Sequence, residues 1–236
     1  AVFDPENGNW FVRTLDGRQL AWEFNWGWSG ATSAPGDYDG DGNADLAVYD
    51  STKGDWYVYS LAKNAVLASP WQWGYAGAMP VPGDYDGDGV DDLAVYAPST
   101  GNWHIWSVGK GKLVGHYQWG YPGTRPVPGD YDGDGKADLA VYDQSAGKWF
   151  VRSPGLVVAA GLNWGWNAAI SVVGDFDGDG ASDLAVFDTL RGDWYIRSFR
   201  TGQMLAWAHN WGWGGAIPLV GDFDGDGKSD LAIYNS

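Results

Sequence analysis

The sequence repeats an aspartate-rich loop five times, and each copy runs directly into a short apolar segment. The copies are GDYDGDGNADLAVYD from Gly36, GDYDGDGVDDLAVYA from Gly83, GDYDGDGKADLAVYD from Gly129, GDFDGDGASDLAVFD from Gly174 and GDFDGDGKSDLAIYN from Gly221. From first Asp to first Asp the loops are 47, 46, 45 and 47 residues apart. A period of this length is typical of supersecondary units that stack or close into a ring, since one unit alone cannot bury its apolar face.

Each loop has Asp at positions one, three, five and nine, and carboxylates this close repel one another unless a cation lies among them. Oxygen donors at this density favour Ca²⁺, which takes about six to eight oxygen ligands in flexible geometry. Position seven varies freely, so only its backbone carbonyl is expected to bind. The predicted ligands are Asp37, Asp39, Asp41, Asn43 and Asp45; Asp84, Asp86, Asp88, Val90 and Asp92; Asp130, Asp132, Asp134, Lys136 and Asp138; Asp175, Asp177, Asp179, Ala181 and Asp183; and Asp222, Asp224, Asp226, Lys228 and Asp230.

Position twelve of the loop separates this pattern from an EF-hand. An EF-hand needs a bidentate Glu there and a helix on each side. Here the position is always Val or Ile within a β-branched run, namely Val48, Val95, Val141, Val186 and Ile233. The loop is therefore predicted to connect two strands, and about five Ca²⁺ ions are expected, one per repeat.

The loops also account for the charge of the chain. Its formal net charge is −16, and 20 of its 30 acidic residues are the loop aspartates. Five bound Ca²⁺ would leave about −6, an ordinary value for a soluble domain. No basic run offsets the acidity, so nucleic acid is not an expected partner.

Other compositional features concern cross-links and location. Cysteine is absent, so metal ions are expected to take the place of disulfides. No apolar segment approaches the ~18 residues of a membrane span, and Ala1 opens no signal-peptide pattern, which suggests a mature form or an excised domain. Cytosolic Ca²⁺ is usually too scarce to fill weak constitutive sites, so an extracellular, secreted or cell-surface protein is expected.

Each repeat is predicted to contain four short strands, from period-two alternation and turn residues. In the second repeat these are Pro80 to Tyr85, Leu93 to Ala97, Asn102 to Val108 and Leu113 to Trp119. Helical periodicity is absent, and 37 glycines are too many for long helices. Four strands per repeat with abundant aromatic residues indicate a β-propeller.

The predicted fold is all-β, a single five-bladed β-propeller with four antiparallel strands per blade. Four blades are expected at residues 31–77, 78–123, 124–168 and 169–215. The fifth should combine residues 216–236 with residues 1–30, because AVFD at the N-terminus and AIYN near the C-terminus both copy the strand that follows each loop. One copy should pair in this closing blade, and the other should be displaced or add to an edge, so that both termini join one sheet.

The motif D-x-D-G-D-G-x-x-D-L, followed by a short apolar strand about every 46 residues, resembles the FG-GAP and VCBS repeats of integrin-like β-propellers. The resemblance covers essentially the whole chain and implies one Ca²⁺ site in each blade. Integrin-type repeats close with a Gly-Ala-Pro segment and form larger rings, whereas this chain has AVYD-like endings and five repeats. The partner of an integrin is therefore not transferred, since a fold does not determine function.

Tryptophan is the second unusual feature, with 17 residues, most of them at three repeat positions. The first set lies in the third strand: Trp10, Trp56, Trp103, Trp149 and Trp194. The second set lies between a carboxamide and a Gly: Asn25–Trp26, Gln72–Trp73, Gln118–Trp119, Asn163–Trp164 and Asn210–Trp211. The third set follows that Gly: Trp28, Tyr75, Tyr121, Trp166 and Trp213.

Two interpretations of these rings compete. Large flat side chains can wedge one blade against the next as core residues. Alternatively, the amide-Trp-Gly-aromatic motif forms a shallow site in which a ring stacks on the apolar face of a sugar while the amide bonds its hydroxyls. The first set is expected to be core, and the third set is the most exposed candidate.

No catalytic centre is expected. His104, His116 and His209 occupy non-equivalent places, and no nucleophile elbow, phosphate loop or cysteine centre is present. The sequence therefore predicts a non-catalytic, Ca²⁺-stabilised binding module with carbohydrate as its ligand. The alternatives are a protein-adhesion or scaffold domain that binds a surface protein, and an accessory domain of a carbohydrate-active enzyme.

Overall fold

The computed structural model describes residues 1–235, and their regular elements are all β-strands. Sheet 1 contains β1 (Val2–Asp4), β2 (Asn9–Arg13) and β3 (Gln19–Asn25). Sheet 2 contains β4 (Thr32–Ser33), β5 (Leu46–Asp50), β6 (Asp55–Ser60) and β7 (Ala65–Gln72). Sheet 3 contains β8 (Met79–Pro80), β9 (Leu93–Ala97), β10 (Asn102–Ser107) and β11 (Gly111–Gln118).

The second half of the chain continues the same pattern. Sheet 4 contains β12 (Arg125–Pro126), β13 (Leu139–Asp143), β14 (Lys148–Ser153) and β15 (Leu156–Asn163). Sheet 5 contains β16 (Ile170–Gly174), β17 (Asp183–Asp188), β18 (Asp193–Arg197) and β19 (Met204–Asn210). Sheet 6 contains β20 (Ile217–Gly221) and β21 (Asp230–Tyr234). Within residues 1–235, no helix is long and apolar enough to cross a membrane.

The strands fall into two compact units. The first, Ala1–Gln118, holds sheets 1 to 3, and the second, from Trp119 onward, holds sheets 4 to 6. Sheets 2 to 5 are four-stranded, with each strand antiparallel to its neighbour in chain order. This is the blade of a β-propeller, so the prediction of an all-β, five-bladed propeller is confirmed.

The two ends of the chain form smaller sheets. β1 pairs with β2, with Phe3 opposite Trp10, so the N-terminal copy of the AVFD strand is used inside sheet 1. The C-terminal copy, β21, pairs with β20, with Pro218 opposite Ile233. The joining of residues 216–236 and 1–30 into one closing blade stays a prediction, as do the boundaries between blades.

The first strand of several blades is shorter than its apolar pattern suggests. Sequence reasoning placed this strand at Pro80 to Tyr85, whereas β8 ends at Pro80. Proline lacks the backbone N–H that a ladder requires, and it interrupts pairing just before the loop. The residue before the loop Gly is Pro35, Pro82 or Pro128 in sheets 2 to 4 and Val173 or Val220 in sheets 5 and 6. The two sheets with Val accordingly keep five-residue first strands.

The core lies in the second and third strands. β5 and β9 are buried along their whole length, and β6 and β10 alternate between buried and half-buried residues. In sheet 2, Trp56 lies opposite Tyr49, and their ring centroids are 5.2 Å apart. All five Trp of the first set are buried, so their prediction as core residues is confirmed.

A glycine in the turn between the second and third strands lets the backbone after the fourth strand pack closely against this turn. Gly54 has φ +87°, and a Cβ there would collide with the backbone of Gly74 and Tyr75. We expect Gly54→Ala to lower the free energy of unfolding by about 2–4 kcal/mol, measured by chemical denaturation.

Gly77→Ala is the matched control. Gly77 has φ +80°, but a Cβ there would meet no atom within 4 Å. Gly77→Ala should lower the free energy of unfolding by only about 1–2 kcal/mol, the conformational cost of a side chain at positive φ. Equal losses in the two variants would show that the close approach at Gly54 contributes nothing.

Candidate functional site

The first aspartate of each loop organises the turn that follows it. Asp37 Oδ1 accepts hydrogen bonds from the amides of Gly40 and Asp41 at 2.8 and 3.1 Å, and its Oδ2 accepts one from Gly42 at 2.7 Å. The same contacts recur at Asp84, Asp130, Asp175 and Asp222. Gly40 and Gly42 have positive φ, which lets the chain curl around this carboxylate.

The aspartate at the ninth loop position, at the start of the following strand, binds the backbone of the second loop position. Asp92 Oδ2 accepts the amide of Tyr85 at 3.0 Å, and the equivalent bond is made by Asp45, Asp138, Asp183 and Asp230. The fifth position instead accepts the amide of position seven, as Asp41 Oδ1 does from Asn43 at 2.8 Å. That contact recurs with Val90, Lys136, Ala181 and Lys228 as donors, so the backbone of position seven is held at the loop whatever its side chain is.

Three carboxylates converge in every loop. In the last four loops these belong to positions one, three and nine, and in the first loop to positions one, three and five. The groups are Asp37, Asp39 and Asp41; Asp84, Asp86 and Asp92; Asp130, Asp132 and Asp138; Asp175, Asp177 and Asp183; and Asp222, Asp224 and Asp230, each with its ligand atoms within 4.8 Å of one another. Each of the five groups can hold a metal ion.

The electrostatics of the loops favour a cation. Asp39 Oδ1, Asp86 Oδ2 and Asp92 Oδ1 are buried carboxylate oxygens that have no hydrogen-bond partner within residues 1–235. Burial raises the pKa of Asp92 to about 7; the amide of Tyr85 opposes this shift, and the charges of Asp86 and Asp84 add to it. Burial likewise raises the pKa of Asp45, Asp138 and Asp183 to about 6. Crowded carboxylates with unused oxygens are the donor set that a hard divalent cation needs.

Basic side chains from the turn between the third and fourth strands also reach three of the loops. Lys63 Nζ lies 3.0 Å from Asp39 Oδ2, and Lys110 Nζ lies 2.9 Å from Asp86 Oδ1. Arg200 Nε lies 3.6 Å from Asp179 Oδ2. Sequence reasoning missed these residues, although a basic residue in the same turn of three repeats was a visible signal.

Neighbouring loops are joined by hydrogen bonds within each unit. The amide of Asp91 donates to the carbonyl of Asp37 at 2.7 Å, and Asp91 Oδ2 accepts the amide of Asp37 at 2.8 Å. In the second unit, the amides of Ser182 and Ser229 likewise donate to the carbonyls of Asp130 and Asp175. Ordering of one loop therefore supports the next one along.

The second set of Trp links adjacent sheets. The indole N–H of Trp26, Trp73 and Trp119 donates to the carbonyl of Tyr57, His104 and Phe150 at 3.2, 3.4 and 3.3 Å. These carbonyls belong to third strands, so Trp26 joins sheet 1 to sheet 2, Trp73 joins sheet 2 to sheet 3, and Trp119, the first residue of the second unit, bonds sheet 4 of that unit. Trp164 and Trp211 differ, because the buried Nε1 of Trp164 has no hydrogen-bond partner in the described chain and Trp211 is 55% exposed.

Three of the carboxamides of the motif are engaged internally. Asn25 Nδ2 donates to the carbonyl of Asn7 and to Asn9 Oδ1, and Gln118 Nε2 donates to the carbonyl of Thr100. Asn210 Nδ2 donates to the carbonyl of Arg191 and to Asp193 Oδ1. These amides fasten the fourth strand to the turn before the third.

The third set is the part of the motif that faces solvent. Tyr75, Tyr121, Trp166 and Trp213 are exposed, and Trp28 is half-buried. Trp28, Tyr75, Tyr121 and Trp166 each pack edge-on against a third-strand ring of the next sheet, namely Tyr57, His104, Phe150 and Tyr195. Beside two of these pairs the surface forms open grooves of about 470 Å³ at Trp166 and about 250 Å³ at Tyr75. Sequence reasoning did not include their further lining residues, among them Trp207, Arg191 and Lys112.

Comparisons with known proteins agree with this architecture. A family model described as FG-GAP-like repeat matches residues 37–95, 84–141 and 130–186, and each match spans two consecutive loops. No curated protein matches the sequence.

Solved structures give a likeness in fold. The chain is similar to an Agrocybe aegerita lectin with specific recognition of non-reducing terminal N-acetylglucosamine, at 16% identity and a TM-score of 0.62 over 96% of this chain and 69% of that one. It is also similar to Kluyveromyces lactis Hsv2, at 11% identity and a TM-score of 0.49 over 96% of this chain and 64% of that one. For dihydro-heme d1 dehydrogenase NirN the values are 17% identity and a TM-score of 0.49, with 100% and 50% of the two chains covered. At these identities the likeness concerns the fold alone.

Proposed function

Because the chain belongs to the FG-GAP-like repeat family, we propose that it is a non-catalytic binding module whose five aspartate loops hold Ca²⁺. The observation that carries the metal assignment is the convergence of three carboxylates within 4.8 Å in every loop. Oxygen-only donors suit Ca²⁺ better than zinc or copper, which prefer nitrogen or sulfur ligands.

The residues proposed to hold the ion are the aspartates at positions one, three, five and nine and the carbonyl at position seven. When bound, Ca²⁺ supplies the positive charge that offsets the mutual repulsion of these carboxylates. The chain's own contribution is to curl the loop around its first aspartate and to bind the ninth aspartate to the second residue of the loop. We assign the ion a structural role, since the groups that reach the loop carboxylates belong to the same sheets. Lys63, Lys110 and Arg200 form ion pairs there, and the amide of Phe199 donates to Asp183 Oδ1.

For the ligand we propose a carbohydrate, bound where the third-set aromatics meet the next sheet. These rings are exposed or half-buried, and two of them, Tyr75 and Trp166, line open grooves. An aromatic ring that stacks on a pyranose needs such an accessible face. The side-chain amides of Asn25, Gln118 and Asn210 are hydrogen-bonded within the protein. We therefore propose that these amides hold the site in shape and that the aromatic rings contact the sugar. A lectin of similar fold gives this ligand class a precedent but not a specificity.

The location proposed for the protein is outside the cytosol, where Ca²⁺ is abundant enough to fill such loops. The experiment that tests the function is a broad glycan array probed with the Ca²⁺-loaded protein. Selective binding that free sugar competes away is the expected result. A blank array from protein with an intact Trp spectrum would favour the protein-adhesion alternative.

A further inference from the structure

The groove at Trp166 has a third aromatic wall. Trp166 and Tyr195 meet edge-on with centroids 4.9 Å apart, and Tyr195 and Trp207 meet edge-on at 5.2 Å. Trp207 is 65% exposed and Trp166 is 38% exposed, so both indoles border the open groove of about 470 Å³. A cavity of this volume is within the range of small-ligand sites and accommodates sugar rings.

This third wall is absent from the other four-stranded sheets, whereas the three-stranded sheet 1 carries Trp22 at the same place, edge-on to Phe11 at 5.2 Å. Trp207 lies in the irregular stretch of β19 between the residues paired with Trp194 and Ile196. The equivalent residues of sheets 2, 3 and 4 are Ser69, Gly115 and Ala160. The repeated motif therefore yields non-equivalent grooves, and the one at Trp166 offers the most aromatic surface among these sheets.

A free cation borders the same groove. The backbone of Arg191 is held on both sides, since its amide donates to Asp188 Oδ1 and its carbonyl accepts from Asn210 Nδ2. Arg191 is exposed and is one of the residues that line the groove, and its guanidinium has no ion pair or hydrogen bond within residues 1–235. The equivalent Lys53 of sheet 2 instead pairs with Asp50 Oδ2 at 3.2 Å.

Two aspartates lie close to Arg191. Asp188, which also lines the groove, accepts the amides of Leu190 and Arg191 with its Oδ1, and Asp193 Oδ1 accepts Nδ2 of Asn210 at 2.7 Å. Within residues 1–235 neither aspartate pairs with the guanidinium of Arg191, which is the one cation in the lining of this groove. A guanidinium binds a carboxylate through two parallel hydrogen bonds, while an aromatic wall binds the apolar face of a sugar ring.

We propose that the groove formed by Trp166, Tyr195, Trp207 and Arg191 is the principal ligand site and that it selects a saccharide bearing a carboxylate, such as a uronic acid. This inference rests on the saccharide-binding function proposed above. In place of five equal sites, this inference gives one dominant site, which lies in the second unit beside sheet 5. The three rings of the site stack on the sugar, and the guanidinium selects the carboxylate.

The test compares a glucuronic acid tetrasaccharide with a glucose tetrasaccharide of the same linkage, by calorimetry on the Ca²⁺-loaded protein at fixed salt. The acidic probe should bind at least about tenfold more tightly, the size expected for one charge-assisted contact. Arg191→Gln should abolish this preference while leaving affinity for the neutral probe unchanged. Lys53→Gln, at the equivalent place in sheet 2, should change neither.

Two ring variants locate the site. Trp207→Ala should weaken binding of both probes, whereas Trp22→Ala, at a 58% exposed ring that belongs to none of the three sets and lines neither groove, should leave both unchanged. Near-UV circular dichroism and a melting curve establish that each variant is folded.

The outcomes separate the two proposals. Equal binding of the two probes, or a preference that survives Arg191→Gln, would overturn the acidic-sugar site and leave carbohydrate binding intact. Failure of both probes to bind would also overturn it, and a blank glycan array in addition would remove the carbohydrate function itself.

Discussion

Removal of Ca²⁺ with EGTA should lower the melting temperature of this protein by roughly 20 °C or more and remove much of its near-UV Trp signal. Each proposed ion would bind the native loop but not the unfolded chain, and would contribute about 2.7 kcal/mol at a hundredfold excess over its dissociation constant. Several such contributions are comparable with the whole stability of a domain, which is typically about 5–15 kcal/mol. Twenty loop aspartates and no cysteine leave no other cross-link to compensate.

The Trp signal reports this loss because the loops and the rings share the same strands. Asp45 and Asp92 immediately precede β5 and β9, which carry Tyr49 and Tyr96 against the first-set Trp. Ca²⁺ added back should restore the signal, and Mg²⁺ at the same concentration should restore less, since it requires a tighter octahedral shell. A chelated sample that melts within a few degrees of the loaded one would show that the loops are stable without metal.

The regularity of the repeat explains why the fold was predictable. A loop that recurs every 45 to 47 residues, followed by LAVYD-like segments, requires the same four-stranded unit each time. The pattern did not anticipate the short first strands, because an apolar run such as MPVPG reads as a strand although Pro80 and Pro82 cannot donate to a ladder.

The candidate sites were predictable only where the chemistry is local. All loop aspartates are adjacent in sequence, so their convergence follows from the loop itself. Trp207 and Arg191 reach Trp166 from different strands and turns, and only packing of sheet 5 against the end of sheet 4 brings them together. The engagement of Asn25 and Asn210 with turns 16 to 19 residues away was hidden for the same reason.

The pH dependence of stability should have opposite signs with and without Ca²⁺. In the metal-free protein, burial raises the pKa of Asp45, Asp92, Asp138 and Asp183 from 3.8 to about 6 or 7. A carboxyl whose pKa is raised on folding binds its proton more tightly in the native state, so its contribution is fully present below about pH 3.8 and is lost as pH rises through 6 to 7. The melting temperature of the metal-free protein should therefore fall between pH 4.5 and 7.5. With Ca²⁺ present it should rise over the same interval, because protons and the ion compete for the same oxygens.

Asp92→Asn isolates one of these carboxylates. Asp92 Oδ1 has no hydrogen-bond partner, and its Oδ2 accepts the amide of Tyr85, a contact that the amide oxygen of Asn can keep. The variant places a neutral group beside Asp84 and Asp86, so at pH 7.5 without metal it should be more stable than the wild type. In saturating Ca²⁺ it should be less stable, because one ligand is lost and the neutral amide cannot offset the ion's charge. We therefore expect the order of the melting temperatures of variant and wild type to reverse when Ca²⁺ is added. Thermal melts at pH 7.5, with and without Ca²⁺, measure this. A variant that is less stable than the wild type under both conditions would contradict this prediction, because it would show that the charge of Asp92 does not destabilise the metal-free loop.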